Sequence, residues 1–434
     1  MRQLGQREAK QAIAHQDNHG LMQISNVATI KGVVSAEKLL RAVHCAYQQH
    51  PFLRARIEFE GGCWQFFYDV AFDSVQHTYE SKKRASIETE MAAEMKNIIA
   101  QDKYLWRTRL VNIAGTDQSY FILTTHHSMT DGIACFSLIN DILGYYNAIA
   151  AGKEVVIESF PERGCLEDYY VQSANVRDMS DVEKNREASI WPVAEPALLQ
   201  QRMPLIKELV FSGADVAALL SMCRASKVTL NGLLSALIFR ASFNVENAPT
   251  FIKSSVPINV RSKMVGGLDS RELGAFFDAG FILADKNNTD DLWLMSRDSQ
   301  AQYQCSVGYN DDISYDELMA FLARLGNEAG SCFGQHIIIS NLGRLSAAFQ
   351  QGDLALIDYR FNASIYPANF FLMFAASTVN DSLTCNFNFT RPLVSEETAI
   401  RFVEQFGDEV KQLVAAFKNN AKPVGVKPAV DSVT

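Results

Sequence analysis

Apolar residues at Leu39, Leu40, Val43 and Tyr47 recur at the spacing of one helix face, with Ser35 where an N-cap belongs. Pro51 should end that helix. Two strand-like runs follow, "FLRARIEF" and "CWQFFYDV", then a polar helical stretch from Ile87 to Ile99. "TRLVNIAG" and "QSYFILTTH" flank the turn-forming "GTDQ" and predict paired strands. Past Gly132, apolar Phe136, Ile139, Leu143, Tyr146 and Ile149 predict another helix. The pattern breaks from Phe160 to Pro196, where "RDMSDVEKNREAS" is charged and Pro161, Pro192 and Pro196 flank it. It restarts with strand-like "IKELVFS", helix-like "ADVAALLSMCRAS" and "TLNGLLSALIFRAS", and the strand "TFIKSSVPINV". Alternating signals on both sides predict an α/β (α+β) chain of two lobes: residues 1–165, a connecting segment 166–196, and residues 197–434. No repeat of fixed period is visible.

A length of 434 residues suits about two to three domains. The 48% hydrophobic and 21% charged content is that of a globular protein, and a net charge of −9 without a basic stretch argues against a nucleic-acid partner. The N-terminal "MRQLGQREAKQAIAHQDNHG" has no apolar secretory core, and the apolar run "NFFLMFAAS" is short of the roughly 20 residues a membrane span needs. A soluble, cytoplasmic protein without a membrane span is expected. Eight scattered cysteines without a C-x-x-C pair predict reduced thiols rather than a zinc site or a disulfide framework.

The chemistry concentrates in "FILTTHHSMTDGIACF", where a strand gives way to a helix. His126 and His127 are two of only eight histidines in the chain. A histidine titrates near neutrality and can take a proton and return it. Asp131 stands at the helix start, where free N–H groups and the dipole favour a carboxylate. Gly132 removes a side chain where a substrate or another backbone could pass. Three readings compete: a buried histidine pair with a capping acid, a metal site, or acyl transfer with His127 as general base. Adjacent side chains on a strand point to opposite faces, so the two histidines cannot readily share an ion, and no metal is expected. His126 should therefore turn into packing. The H-x4-D spacing of His126 and Asp131 also fits glycerolipid acyltransferases, but the glycine/arginine phosphate motif and the membrane anchor of those enzymes are not found.

"HHSMTDG" resembles the HHxxxDG signature of the condensation-domain superfamily, which includes nonribosomal peptide condensation domains, polyketide-associated acyltransferases and alcohol acetyltransferases. Further stretches carry the resemblance: "QQHPFLRARIEF" is similar to the R-H-x-x-L-R-T-x-F motif, "CLEDYY" to Y-x-D-F/Y, and "ELGAFFD" to I-G-x-F-V-N. "VPINVRSK" fits the strand carrying a family arginine, here Arg261, and "ISNLGRL" looks most like the free-standing alcohol and polyketide-associated branch. The resemblance spans residues from about 45 to about 345. The serine- and glutamine-containing first motif of peptide condensation domains is not recognisable, and the D-F-G-W-G motif of plant BAHD acyltransferases is absent.

The resemblance implies two chloramphenicol-acetyltransferase-like lobes in a V, with His127 midway along a tunnel between them. It implies transfer of an acyl group from a thioester donor, acyl-CoA or an acyl-carrier protein, to a hydroxyl or amine acceptor, in secondary or lipid metabolism. No cofactor beyond the CoA or phosphopantetheine carrying the acyl group is implied. Asp131 would pair with Arg261 and hold the loop of His127. Gly132 would give clearance to the pantetheine arm, or satisfy a backbone angle closed to other residues. Ser340 and Asn341 would lie near the tunnel, with Asn341 either contacting the reacting carbonyl or only forming a turn. Two alternatives stay open: amide-forming condensation between carrier-bound substrates, and a non-catalytic carrier-docking protein of the same fold.

Overall fold

The computed structural model describes residues 1–170, 187–304, 331–347 and 354–420. Along the first half run β1 (Arg2–Gln3), α1 (Gln6–Asp17), β2 (Ile24–Lys31), α2 (Ala36–Gln49), β3 (Arg56–Glu60), β4 (Cys63–Phe67), β5 (His77–Lys82), α3 (Ile87–Lys96), β6 (Trp106–Ile113), β7 (Gln118–Thr125) and α4 (Gly132–Ala150). The second half carries β8 (Met203–Phe211), α5 (Gly213–Ala225), α6 (Leu230–Phe243), β9 (Phe251–Asn259), β10 (Phe277–Asp285), α7 (Leu292–Gln304), β11 (Gln335–Arg344), β12 (Ala355–Ala363), β13 (Phe370–Val379), β14 (Ser382–Arg391) and α8 (Glu396–Asn420).

The predicted local signals operate as chemistry. The Ser35 hydroxyl accepts from the Lys38 N–H and starts α2. Pro51 ends it and opens a short 3-10 turn, Pro51–Arg54, because its fixed φ suits a helical first position. The strand expected over "FLRARIEF" therefore begins only at Arg56. Gly115, with φ of 81°, turns the chain between β6 and β7. α4 is long and apolar enough to cross a membrane, yet half of it is buried in the protein, packed beside α2 and β7.

Two large sheets form the two-lobed α/β frame. One has the order β12-β2-β7-β6-β5 and the other β10-β9-β11-β13-β14-β8; β1-β4-β3 make a small third sheet. β12 crosses from the second half of the chain to pair antiparallel with β2, so a boundary near residue 197 divides the sequence but not the sheets. The crossing is held from both sides. Tyr359 donates to Asn26 Oδ1 at 2.6 Å, Ser377 donates to the Tyr359 carbonyl at 2.6 Å, and Arg360 pairs with Glu208 of β8.

β11 lies parallel to both β13 and β9, but its pairing with β9 is confined to Ile337 and Ile338 opposite Ser254 and Ser255. Beyond that point Pro257 has no N–H to offer and the two strands part. A gap thus opens between the ends of β9 and β11.

Of the segment 166–196 expected to be a connection, residues 171–186 lie outside the described residues. Its end belongs to the second core: Trp191 is buried and stacks on Phe371 with ring centroids 4.1 Å apart. Trp191→Ala should cost about 3–5 kcal/mol, the range for emptying a buried aromatic site. Denaturant unfolding measures it; a loss under about 1 kcal/mol would assign Trp191 to a loop that only touches the core.

Candidate active site

The turn from β7 to α4 is pinned before any function is considered. His126 N–H donates to the Leu105 carbonyl at 2.8 Å, and Asp131 caps α4 by accepting from the Ala134 N–H at 3.0 Å. The same carboxylate accepts from Arg261 Nη1 at 2.7 Å and from the Phe276 N–H at 3.0 Å. Both side chains of this ion pair are under a tenth exposed. Asp131 thereby ties the histidine turn of one sheet to the ends of β9 and β10 in the other. The Arg261 guanidinium also lies 5.1 Å from the Phe276 ring centre.

The two histidines diverge. His126 is fully buried: its Nε2 faces Gln101 Oε1 at 3.0 Å, its Nδ1 accepts from the Ser128 N–H at 3.1 Å, and its ring lies 4.3 Å from that of His15. Burial drives its pKa well below the ordinary histidine value, with the neighbouring imidazoles adding to the effect. It is a neutral packing group.

His127 is half-buried and its ring stacks on Phe277, centroids 4.8 Å apart at 30°. Its Nδ1 lies 2.8 Å from the Thr130 carbonyl oxygen. A carbonyl can only accept, so Nδ1 carries the proton and Nε2 presents a lone pair. Burial lowers the His127 pKa; the Thr130 contact and the Asp131 charge oppose that, and Arg7 reinforces it. The resting ring is a neutral base of fixed tautomer.

His127 borders a cavity of about 140 Å³ that fills the gap between β9 and β11. Asp131, Gly132, Asn259, Ser340 and Asn341 contribute its polar margin. The rest of the wall is largely apolar, including Met22, Ile24, Ile338, Phe361 and Met373. Asn341 sits at a β-bulge, and its Oδ1 accepts from the Gly343 N–H at 2.9 Å, where Gly343 has a φ of 70°. Among the described residues no group accepts from its Nδ2. Ser340 is nearly buried beside it. The structure thus brings His127, Asp131, Gly132, Arg261, Ser340 and Asn341 to one interface. The "CLEDYY" stretch reaches it through Tyr170, which donates to Asp278 Oδ2 at 3.2 Å, whereas "QQHPFLRARIEF" contributes nothing to the cavity wall.

Of the two expectations for Gly132, the special backbone angle is not met, while the residue does line the cavity. It does not adopt a left-handed φ, and an added Cβ would lie 2.7 Å from Leu342 Cδ2. The close approach is to a side chain of the opposite sheet. Cavity-wall residues from β2, β12 and β13 were not marked by the sequence, and neither was Arg7. Among the described residues, no three His, Cys, Asp or Glu side chains are grouped to hold a metal ion.

A family model described as the condensation domain matches residues 12–426 of this chain. No curated protein matches it by sequence. Among solved structures, polyketide synthase associated protein 5 from Mycobacterium tuberculosis is 15% identical, over 95% of this chain and 97% of that one, with a TM-score of 0.66. The TRI3 trichothecene 15-O-acetyltransferase from Fusarium sporotrichioides is 12% identical over 96% and 95%, with a TM-score of 0.69. A mutant starter condensation domain of rhizomide synthetase RzmA, solved with C8-CoA, is 15% identical over 95% and 94%, with a TM-score of 0.64. Likeness at these identities concerns the fold.

Two stability measurements test the interface. Replacing Asp131 or Arg261 alone with Ala should cost about 3–5 kcal/mol, since each leaves a buried charge. Replacing both should cost less than the sum, and strict additivity would mean the pair is not coupled. Gly132→Ala should cost about 1–3 kcal/mol by crowding Leu342, and Leu342→Ala in the same chain should recover part of that loss. An equal loss with and without Leu342 would place the cause elsewhere.

Proposed function

The chain belongs to the condensation-domain family, and from that premise we propose that it is an acyltransferase carrying an acyl group from a thioester donor to a hydroxyl or amine acceptor, with His127 as general base. The observation that carries the reading is the Nδ1 contact to the Thr130 carbonyl, which leaves Nε2 unprotonated beside the cavity.

In the proposed reaction the acceptor's O–H or N–H gives its proton to Nε2 as the heteroatom attacks the thioester carbonyl. The tetrahedral intermediate then expels the thiolate, which takes the proton back from Nε2. Donor and acceptor are held together, so no acyl-enzyme is required. The nearest thiol in this turn fits that view: Cys135 is buried, hydrogen-bonded to Thr125 and Thr130, and pushed up to about 11, far from a thiolate nucleophile. Asn341 Nδ2 is the donor suited to the developing oxyanion. The cavity supports an apolar acyl or acceptor group, since a void of about 150 Å³ accommodates a benzene-sized molecule. The C8-CoA bound by the RzmA domain and the O-acetyl transfer named for TRI3 are consistent with a thioester donor and a hydroxyl acceptor on this fold.

His127→Ala should lower turnover about a hundredfold or more while the protein still melts cooperatively. The assay follows thiol release from acyl-CoA and carrier-bound acyl thioesters, with alcohols and amines as acceptors. Near-wild-type turnover by the variant would remove the base. Because the base form exists above the His127 pKa, which is held below 6.5, kcat/KM should stay level through neutrality and fall only in mildly acidic buffer. A fall that begins above pH 7 would contradict the assignment.

A further inference from the structure

The aromatic ring that lies against His127 also has a cation beside it. Phe277 stacks on the imidazole, and the guanidinium of Arg7, from the first turn of α1, lies 5.2 Å from the centre of the same phenyl ring. The approach is maintained by several contacts. Arg7 Nη2 lies 3.4 Å from Asp278 Oδ1, and the Arg7 N–H donates to Glu167 Oε1 at 3.0 Å. Asp278 is buried and also accepts from the Tyr170 hydroxyl and the Ala279 N–H. The Arg7 side chain is only 13% exposed, and its Nε has no partner among the described residues.

We propose that Arg7 is a positioning residue for His127, acting through Phe277: the guanidinium holds the phenyl ring that stacks on the imidazole and sets a positive charge near the base. This inference rests on the reading of His127 as the general base.

Two charges act on the imidazole in opposite senses: Asp131 favours its protonation, and Arg7 opposes it to a smaller extent. Asp131, on the histidine turn itself, is matched by Arg261 at 2.7 Å and by two backbone N–H groups. His126 is neutral and turned toward Gln101. From β10, Asp278 faces Arg7, but at 3.4 Å, longer than the usual charge-assisted bond, and it divides its lone pairs among other donors. From the connecting segment, the Glu167 carboxylate accepts from the Arg7 backbone N–H, and Tyr170 reaches this group through Asp278. The Arg7 charge therefore disfavours the imidazolium, adding to the effect of burial and offsetting part of the Asp131 attraction. The chemical benefit is that a base beside a positive charge stays unprotonated, with its lone pair available for the acceptor proton.

The test needs no knowledge of the substrate. Histidine ring protons of the full chain are followed by NMR through a pH titration, with His127→Gln identifying the signal. Arg7→Gln keeps reach and loses charge; its His127 midpoint should rise by about half a pH unit or more. Arg7→Lys keeps the charge, and its midpoint should stay near that of the wild type. Asp278→Asn removes the partly balancing anion, and its midpoint should fall. A merely structural Arg7 would change melting without moving these midpoints. Unmoved midpoints in Arg7→Gln, or equal movement in Arg7→Lys, would overturn the proposal. If Arg7→Gln does not fold, Asp278→Asn decides, since a midpoint that fails to fall overturns it as well. Failure of the base itself would show separately, as retained turnover in His127→Ala.

Discussion

The carboxylate of Asp131 closes three contacts at once: it caps α4, pairs with Arg261 and accepts the Phe276 N–H. The cap belongs to the first sheet's helix, and the other two belong to strands of the second. Everything in the site depends on this junction. Because α4 begins where Asp131 holds it, the preceding turn closes with the Thr130 carbonyl under His127 Nδ1. Because Arg261 and Phe276 are drawn to the same carboxylate, Phe277 arrives against the imidazole ring. A buried charge pair contributes little net stability against apolar packing, so its value here is geometric specificity.

A second constraint creates the space. β9 and β11 pair over Ile337 and Ile338 only and then separate, so the sheet itself opens beside His127. The crossing of β12 to the first sheet closes the other side, bringing Phe361 and Ala363 to the cavity wall. The lobes are joined by β12, which the second half of the chain contributes to the first sheet, and by the ion pair of Arg360 with Glu208, so the cavity has walls from both.

The histidine turn could be read from the chain because its logic is local. A strand run, an acid at a helix start and a glycine within a few residues specify a cap and a histidine at the turn without distant information. The two-lobed α/β architecture was legible for the same reason, from alternating strand and helix patterns. Residues contributed over long range were not. The pattern of β12 reports which of its faces are apolar but not which sheet receives it. Met22, Ile24 and Met373 meet at the cavity from segments hundreds of residues apart in part, and no local motif marks them. Gly132 was legible as a close-approach site, but Leu342 as the approaching group required the tertiary structure. Arg7 looked like one more polar residue at the start of α1, and only the fold puts it beside Phe277.

The central claim is that His127 rests as a neutral ring protonated on Nδ1, with Nε2 free to accept a proton. Nitrogen-15 NMR of histidine-labelled protein at neutral pH reports this directly, with the His127→Gln variant assigning the resonances. The account predicts a pyrrole-type signal for Nδ1 and a pyridine-type signal for Nε2. A proton found on Nε2, or an imidazolium at neutral pH, would contradict it.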